Sequence, residues 1–375
     1  MDAKFCPVPF GHTMIATNGD FQVCCIHPAP IEHRLNINQH SYEAWRDSAY
    51  LKQVQQNFRD KKLDPGCNHC WHREDLGQIS LRTRVRKEYQ ILHVASADDQ
   101  TEYPVNVEIN LGNLCNLKCL MCSESDSSAL LAENIKLGIN QHRQEDFHWS
   151  PKAFENLKNL LQHAPQVINI RGGEPFYNKD LLTLIDQLPD EICARTLLHI
   201  TTNATVWNTK WQQVLSKFRL VRIMASVDGI DQTYEYLRHP AQWPQVEQNI
   251  LSMQKMPNVK LLLHCVAQNL NVCSLGDLIV WCHQHNVYLE LDQLMYPLWL
   301  TLTNLPRANK LKAIQALNDQ LATVLPDHIR RFLELCVAQL NTSLSQPDDV
   351  DLWSLFQAQV GMRDQLRGTS FQSLL

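Results

Sequence analysis

Short apolar runs alternate with longer amphipathic segments along the chain from residue 105 onward. Each run has the length and the β-branched content of a strand. The segments between the runs repeat apolar residues at the spacing of one helix face. The predicted strands are residues 105–110, 167–171, 196–201, 220–227, 259–266 and 287–292. The predicted helices include residues 151–163, 181–188, 207–218 and 243–253.

Six strands that alternate with helices predict parallel βαβ units, because two parallel strands need a long crossover between them. The sequence therefore indicates an α/β fold with an open sheet or a barrel. We place this strand–helix region at residues 104–305 and predict a helical extension over residues 306–375, which has no glycine except Gly361 and Gly368.

Residues 1–87 lack this alternation and are predicted to form a small, loop-rich domain. One helix is predicted within it, over residues 41–59, with Ser41 as its N-cap. Its apolar face would consist of Tyr42, Trp45, Ala49 and either Val54 or Phe58. Residues 88–103 include a polar run and are predicted to be a linker.

Composition excludes some classes of partner. The formal net charge is −5 and the isoelectric point is near 6.3, which gives no support to a nucleic-acid-binding surface. No apolar stretch is long enough for a secretory signal or a membrane span. We therefore expect a soluble, cytoplasmic protein that binds neither nucleic acid nor a membrane.

Thirteen cysteines need an explanation in such a protein, because disulfides are rare in a reducing cytosol. Closely spaced cysteines indicate metal or redox chemistry. One group consists of Cys115, Cys119 and Cys122, and the other of Cys6, Cys24, Cys25, Cys67 and Cys70. The remaining five lie singly among apolar residues, as core cysteines do.

Cys115, Cys119 and Cys122 follow the first predicted strand with the spacing C-x3-C-x2-C. A [4Fe–4S] cluster held by three thiolates keeps one iron open for a substrate or cofactor. Barrels of this class also hold their catalytic residues after the strands. A structural zinc site is the alternative, but zinc normally takes four ligands and no obvious fourth lies nearby.

The chain resembles the radical S-adenosylmethionine enzymes, whose cluster loop has this cysteine spacing. The likeness continues, in order, at the ends of the following strands. The matching residues are Gly172, Gly173, Glu174, Asn203, Ser226 and Arg238. A glycine pair alone would be weak evidence, but matches at successive strand ends are strong. The resemblance implies a partial (β/α)6 TIM-like barrel.

The resemblance also implies what these residues do. The glycines of residues 172–174 would let the backbone approach the amino group of S-adenosylmethionine, which the glutamate would help to hold. Asn203 would make a polar contact to the cofactor, Ser226 would contact its ribose, and Arg238 would pair with its methionyl carboxylate. Many family members have an aromatic residue where this chain has Met121, a soft apolar substitute.

The implied chemistry begins with one electron, which a reductant such as flavodoxin or ferredoxin would supply. Cleavage of S-adenosylmethionine on the open iron would give a 5′-deoxyadenosyl radical, which takes a hydrogen atom from an unreactive C–H bond. The cofactor performs the difficult step, while the protein orients and shields it.

Cys6, Cys24, Cys67 and Cys70 supply four thiolates, which is enough for a closed metal site. On ligand count alone a zinc ribbon would fit. The segment resembles the auxiliary-cluster segments (SPASM and the shorter twitch type) of radical S-adenosylmethionine enzymes, in a subgroup that has it ahead of the barrel. That resemblance implies a second, fully ligated [4Fe–4S] cluster of the twitch type, with Cys25 as the alternative to Cys24.

Glu290 and Asp292 lie two residues apart on the last predicted strand, so both point to the same face. They would line the substrate cavity if that face is inward, and salt bridges at a strand end are the alternative. Residues 296–299 would form an aromatic lid or belong to the core. Cys265 and Cys273 would return a hydrogen atom to a substrate radical or, as we favour, be inert core cysteines.

Three candidate functions are considered, and the resemblance to auxiliary-cluster enzymes implies the first of them. The first is modification of a ribosomal peptide by crosslinking, epimerisation or oxidation. The second is dehydrogenation or epimerisation of a sugar, an aminoglycoside or another small metabolite. The third is a non-enzymatic iron–sulfur or zinc protein, which would have no need for residues 172–174, Asn203, Ser226 and Arg238.

Overall fold

The computed structural model describes residues 5–77, 79–91, 101–139 and 147–375. Most of the predicted linker, residues 92–100, lies outside the described residues. The described strands are β1 His12–Ile15, β2 Phe21–Gln22, β3 Asn106–Asn110, β4 Val167–Arg171, β5 Leu197–Thr202, β6 Leu220–Ser226, β7 Val259–Ala267 and β8 Tyr288–Gln293. The described α-helices are α1 Val8–Gly11, α2 Tyr42–Arg46, α3 Ala49–Arg59, α4 Asn68–Asp75, α5 Leu81–Ile91, α6 Ser128–Leu137, α7 Pro151–Leu161, α8 Lys179–Asp186, α9 Asp190–Cys193, α10 Thr209–Leu215, α11 Asp231–Leu237, α12 Trp243–Gln254, α13 Leu275–Gln284, α14 Arg307–Leu321, α15 Asp327–Leu344 and α16 Val350–Arg367.

The strands belong to an eight-stranded sheet, and α-helices separate consecutive strands from β3 to β8. The α/β class and the six strand–helix repeats of the predicted partial barrel are therefore confirmed. Each of the six predicted strands agrees with the observed one to within a single residue at either end. The extension after residue 306 is helical as predicted, in α14, α15 and α16.

Contacts divide the chain into two compact units. The first comprises Met1–Cys115, His142–Ile200 and Asn208–Arg222, and the second comprises Asn116–Gln141, Thr201–Trp207 and Ile223–Leu375. β5 and β6 each begin in the first unit and end in the second. The predicted N-terminal domain, residues 1–87, shares the first unit with β3 and β4, and the four-part division made from the sequence stays a prediction.

The N-terminal segment of the first unit adds two strands that the sequence did not predict. β1 runs antiparallel to β2 and parallel to β3, with Met14 opposite Glu108. Strands of four and two residues are too short to show a period, and their pairing partner β3 lies about ninety residues further on. The segment is also fixed by side-chain bonds, since Nδ2 of Asn156 on α7 donates to the carbonyl oxygen of Ile37 at 2.8 Å.

The predicted helix over residues 41–59 is wrong in its continuity. The chain forms α2 and then, after a break at residues 47–48, the longer helix α3. Ser48 starts α3 because its side chain accepts a hydrogen bond from the amide of Leu51, whereas Ser41 makes no such cap bond. Ala49, predicted to lie on the apolar face, is consequently exposed at the first position of α3.

In the second unit, β7 and β8 pair in parallel. We call residues 111–122 the cysteine loop, and α16 packs over the part of this loop that follows residue 115. Leu120 of that loop shares a buried apolar cluster with Leu237 of α11 and with Phe356 and Val360 of α16. The predicted extension is thus part of the core that supports the second and third cysteines of the loop. Among the described residues, we find no helix with the length and apolar character needed to cross a membrane.

Candidate cluster and cofactor site

The cysteine loop follows β3 and ends in two thiols that contact each other. Cys119 is buried, Cys122 is half-buried, and the amide of Cys122 donates to the carbonyl oxygen of Cys119 at 3.3 Å. The hydrogen bond between the thiols, aided by the charge of Arg238, lowers the pKa of Cys119 although burial opposes it, and the same bond raises the pKa of Cys122. Cys115, half-buried, precedes them in the loop. The contact between Cys119 and Cys122 brings together two sulfur donors of the kind that iron–sulfur clusters use.

The buried guanidinium of Arg238 lies beside Cys119. Its Nη1 is 3.9 Å from Sγ of Cys119, while its Nε and Nη2 are 2.8 and 2.7 Å from Oδ2 of Asp228. Backbone hydrogen bonds of 2.7 and 3.1 Å join residues 118–120 to residues 237–239 and keep the two segments in place. Arg238 therefore contacts a thiol and a carboxylate of the protein itself, and its pairing with a cofactor carboxylate stays a prediction.

Asn203 is tied to the cysteine loop within the second unit. Its Nδ2 donates to Oδ1 of Asn116 at 3.0 Å, and its Oδ1 accepts a hydrogen bond from the amide of Thr205 at 2.9 Å. Ser226 is half-buried at the last position of β6. The predicted cofactor contacts of both residues stay predictions.

Gly172 and Gly173, in the first unit, pass against the backbone of the cysteine loop. A Cβ on Gly172 would lie 2.7 Å from the carbonyl carbon of Asn110, and one on Gly173 would lie 2.4 Å from the carbonyl oxygen of Leu114. Both residues also have a positive φ, of 83° and 52°. Glu174 is buried, and its amide donates to the carbonyl oxygen of Leu114 at 2.8 Å. Only glycine lets β4 end this close to the loop.

Gly173→Ala is expected to lower the free energy of unfolding by about 2–5 kcal/mol, because it adds both a left-handed strain and a steric clash. The matched control is Gly138→Ala at the end of α6, where φ is +71° and no atom lies within 4 Å of the added Cβ. That control should lose only about 1–2 kcal/mol. Urea denaturation measures both values, and equal losses would contradict the close approach of Gly173 to the loop.

The four N-terminal cysteines predicted as ligands are electrostatic neighbours in the first unit. Burial raises the pKa of Cys6 to about 12, and the nearby thiol of Cys70 adds to the increase. Burial likewise raises the pKa of Cys24, with further contributions from Cys25, Cys6 and Cys70. It also raises the pKa of Cys67, with contributions from Cys6, Asp64, Cys24 and Cys70. Thiols that raise one another's pKa in this way form the kind of donor set that releases its protons on binding a metal.

Cys25 faces a different environment from Cys24. Burial raises its pKa, and its other influential neighbours include Glu108 and Arg171, on β3 and β4, and Arg84. It is the more exposed of the two thiols. These surroundings support Cys24 as the ligand, the choice made from the sequence.

The sequence interpretation missed a buried histidine beside Cys67. Nε2 of His27 is 2.8 Å from Oδ1 of Asp64, and the hydroxyl of Tyr50 lies 3.2 Å from its Nδ1. The ligand atoms of His27, Asp64 and Cys67 all lie within 4.8 Å of one another. The ring also packs over Gly66, where a Cβ would come within 2.2 Å of Nε2. A histidine three residues after Cys24 and an aspartate three before Cys67 were the available signals.

The residues predicted to face the substrate differ in their contacts and in their burial. Oδ2 of Asp292 is 3.0 Å from Nε2 of His264, so Asp292 makes the cross-strand contact expected of the alternative interpretation. Glu290 is exposed opposite His264 in the register. Cys265 is fully buried, as the core interpretation requires, and Trp299 packs against the apolar cluster under α16.

Comparison with known proteins finds a family match in the central part of the chain. The family model of the Radical SAM superfamily matches residues 109–265. A GTP 3′,8-cyclase of Bradyrhizobium diazoefficiens is 24% identical over 50% of this chain and 52% of its own length. The sporulation killing factor maturation protein SkfB of Bacillus subtilis is 22% identical over 52% of this chain and 43% of its own length. The chain thus spans about half the length of these curated relatives.

Solved structures give weaker likenesses. That of SuiB from Streptococcus suis bound to the precursor peptide SuiA is 15% identical, covers 68% of this chain and 59% of its own, and has a TM-score of 0.40. Likenesses of this size carry no argument for function. The family match, which spans the cysteine loop, residues 172–174, Asn203, Ser226 and Arg238, confirms the expectation of an enzyme. Residues 109–265 of the chain thus match the Radical SAM superfamily.

Proposed function

We propose that the chain cleaves S-adenosylmethionine reductively and takes a hydrogen atom from its substrate. The observation that carries this proposal is the contact between Cys119 and Cys122 beside Arg238, in a loop with the spacing C-x3-C-x2-C. A [4Fe–4S] cluster on Cys115, Cys119 and Cys122 fits these donors, because three thiolates keep one iron open. When bound, this cluster and S-adenosylmethionine supply the 5′-deoxyadenosyl radical.

The protein's own residues would bind and orient the cofactor. Residues 172–174 offer backbone without side-chain obstruction at the end of β4, with the carboxylate of Glu174 beside it. Asn203 and Ser226 offer an amide and a hydroxyl at the ends of β5 and β6. Arg238, held by Asp228, keeps a positive charge beside Cys119 and so favours the thiolate.

A one-electron reductant such as flavodoxin or ferredoxin is the proposed partner. Anaerobic incubation of the reconstituted protein with dithionite and S-adenosylmethionine tests the core of the proposal, because it replaces that partner. Release of 5′-deoxyadenosine is the expected result. A reconstituted protein that holds iron but releases no 5′-deoxyadenosine would refute the proposed cleavage.

The auxiliary segment is proposed to hold a second [4Fe–4S] cluster on Cys6, Cys24, Cys67 and Cys70. The mutual influence of these four thiols supports it, since a closed cluster needs four sulfur ligands close together. His27 and Asp64 lie next to Cys67 and would hold its loop in place.

Cys24→Ser and Cys25→Ser distinguish the two candidate ligands. We expect about eight irons per chain in the wild type, about four in Cys24→Ser, and about eight in Cys25→Ser. Iron and sulfide analysis after anaerobic reconstitution measures the content. About eight irons in Cys24→Ser and about four in Cys25→Ser would make Cys25 the ligand. About four irons with one zinc in the wild type would indicate a zinc ribbon in place of the second cluster.

Peptide modification is the substrate class that we favour. The similarity to a maturation protein, SkfB, and the auxiliary cysteines support it. Modification of a small molecule is the second candidate, and the similarity to GTP 3′,8-cyclases supports it. Mass spectrometry of a candidate peptide after turnover, for a loss of two hydrogens or for deuterium uptake from solvent, distinguishes the two.

A further inference from the structure

One face of the sheet in the first unit is polar. Parallel register places Glu108, Asn169 and His199 side by side on β3, β4 and β5. The opposite face of these strands carries fully buried aliphatic side chains. We call the first face the polar face, and it consists of His12, Glu108, Asn169, Arg171, His199 and Arg222.

Glu108 is the negative charge of the polar face and is already paired. Its Oε1 is 3.4 Å from Nη1 of Arg171, and its Oε2 is 3.6 Å from Nε2 of His12, whose Nδ1 lies 3.0 Å from the carbonyl oxygen of Val23. Burial raises the pKa of Glu108, but His12 and Arg171 outweigh burial and hold it below its usual value. The carboxylate is therefore ionised near neutral pH and holds the Arg171 side chain in place.

His199 is uncharged and stands among positive charges. Burial lowers its pKa to about 4, and the positive charges of Arg222 and Arg171 contribute to the decrease. Its Nε2 is buried, and the part of the chain that the structure describes offers it no hydrogen-bond partner. A neutral imidazole nitrogen in this state can donate or accept one further hydrogen bond.

Arg171 and Arg222 keep donors available for a ligand. The side chain of Arg171 is 45% exposed, and a guanidinium carries five N–H donors, of which the contact to Glu108 uses only Nη1. Arg222 is exposed on β6. Two arginines against one carboxylate make the polar face electropositive, so a cation would be repelled and an anion attracted.

We propose that the polar face binds an anionic group of the substrate, a carboxylate or a phosphate, at Arg171, Arg222 and His199. Guanidinium groups recognise both anions through paired N–H donors, and His199 adds a neutral donor. Glu108 acts as a positioning residue, because it fixes Arg171 without touching the ligand. The inference rests on the proposed function, since it assigns the anion to the substrate of the radical reaction.

Calorimetric titration of the anaerobically reconstituted enzyme, with S-adenosylmethionine present, tests this inference. The probes are N-acetylglutamate amide for a carboxylate, inorganic pyrophosphate for a phosphate, and N-acetylglutamine amide as the neutral counterpart. We expect at least one anion to bind more tightly than the neutral probe, and 0.5 M sodium chloride to weaken that binding. Tighter binding of glutamate would indicate an acidic side chain on the substrate, and tighter binding of pyrophosphate a phosphorylated compound.

Arg171→Gln and Arg222→Gln should each weaken binding of the anion by about tenfold or more. Arg331→Gln, which changes an exposed arginine on α15, should bind the anion as the wild type does. Because Arg171→Gln removes the partner of Glu108, circular dichroism is used to check that this variant folds. If Arg171→Gln unfolds, Arg222→Gln still tests the inference.

Three results would overturn the inference: no preference for either anion, unchanged binding in Arg222→Gln, or binding of the probe only in a parallel titration without S-adenosylmethionine. The last would assign the anion to the cofactor instead. Release of 5′-deoxyadenosine by the wild type is measured separately. Failure of the proposed function and failure of this inference are therefore distinguishable.

Discussion

Cys119→Ala is expected to abolish the release of 5′-deoxyadenosine and to remove about four irons per chain. The thiol of Cys119 is buried, contacts Cys122 and lies beside Arg238, so its loss removes a ligand from the centre of the proposed site. Outer-shell partners alone change metal affinity by about 10–100-fold, and loss of a ligand should cost more. Anaerobic iron analysis and chromatographic detection of 5′-deoxyadenosine measure the two effects.

Cys282→Ala is the matched control for that variant. Cys282 lies on α13 in the same unit, is buried, and has a pKa raised by burial alone to about 12. It should keep the iron and the release of 5′-deoxyadenosine, at a modest cost in stability. If Cys119→Ala retained all of its iron and its activity, the assignment of the cluster to the cysteine loop would be wrong.

Arg367→Leu is expected to lower the free energy of unfolding by about 3–5 kcal/mol, because it leaves a buried carboxylate without its closest partner. The side chain of Glu133 has no solvent exposure, and its oxygens lie 3.0 and 2.6 Å from Nε and Nη2 of Arg367. Arg363 and Lys118 are more distant, at 3.9 and 3.6 Å. Urea denaturation at pH 7 measures the loss.

Two further variants complete this test. Glu133→Leu combined with Arg367→Leu removes both charges and should recover much of the loss, whereas Arg331→Leu, at an exposed site, should change stability little. Equal losses in the single and double variants would show that packing, and not the uncompensated charge, causes the effect. Arg367 also donates to the carbonyl oxygen of Lys118 at 2.8 Å, so amide exchange next to Cys119 should accelerate in the single variant.

The same ion pair predicts a pH dependence. Burial raises the pKa of Glu133, but the hydrogen bond and charge of Arg367, with Lys118 and Arg363, outweigh burial and hold it below 4.5. A carboxyl whose pKa is lower in the folded protein stabilises it above the unfolded pKa. That contribution should be lost as the pH falls from about 4.5 through the lower folded pKa. The double variant should show a shallower decline over the same range.

The sequence by itself determined the strands β3 to β8, since each is a short segment with buried aliphatic side chains on one face and is separated from the next by helical segments. It also determined the candidate chemistry, because ligands of a loop cluster lie close in the chain. The spacing of Cys115, Cys119 and Cys122 needs no tertiary information. The glycine pair was equally visible in the sequence. The structure supplies the reason for it, because a Cβ added to Gly173 would lie only 2.4 Å from a carbonyl oxygen of the loop.

Only the tertiary structure decided the contacts between residues far apart in the chain. Arg367 and Glu133 are 234 residues apart, and no local pattern marks either as a buried partner. The short strand β1 is defined by its pairing with β2 and with the distant strand β3. The polar face arises in the same way, since parallel register, not sequence spacing, places Glu108 beside Asn169 and His199. Sequence spacing defines local ligand sets, whereas burial and charge pairing depend on which elements the fold brings together.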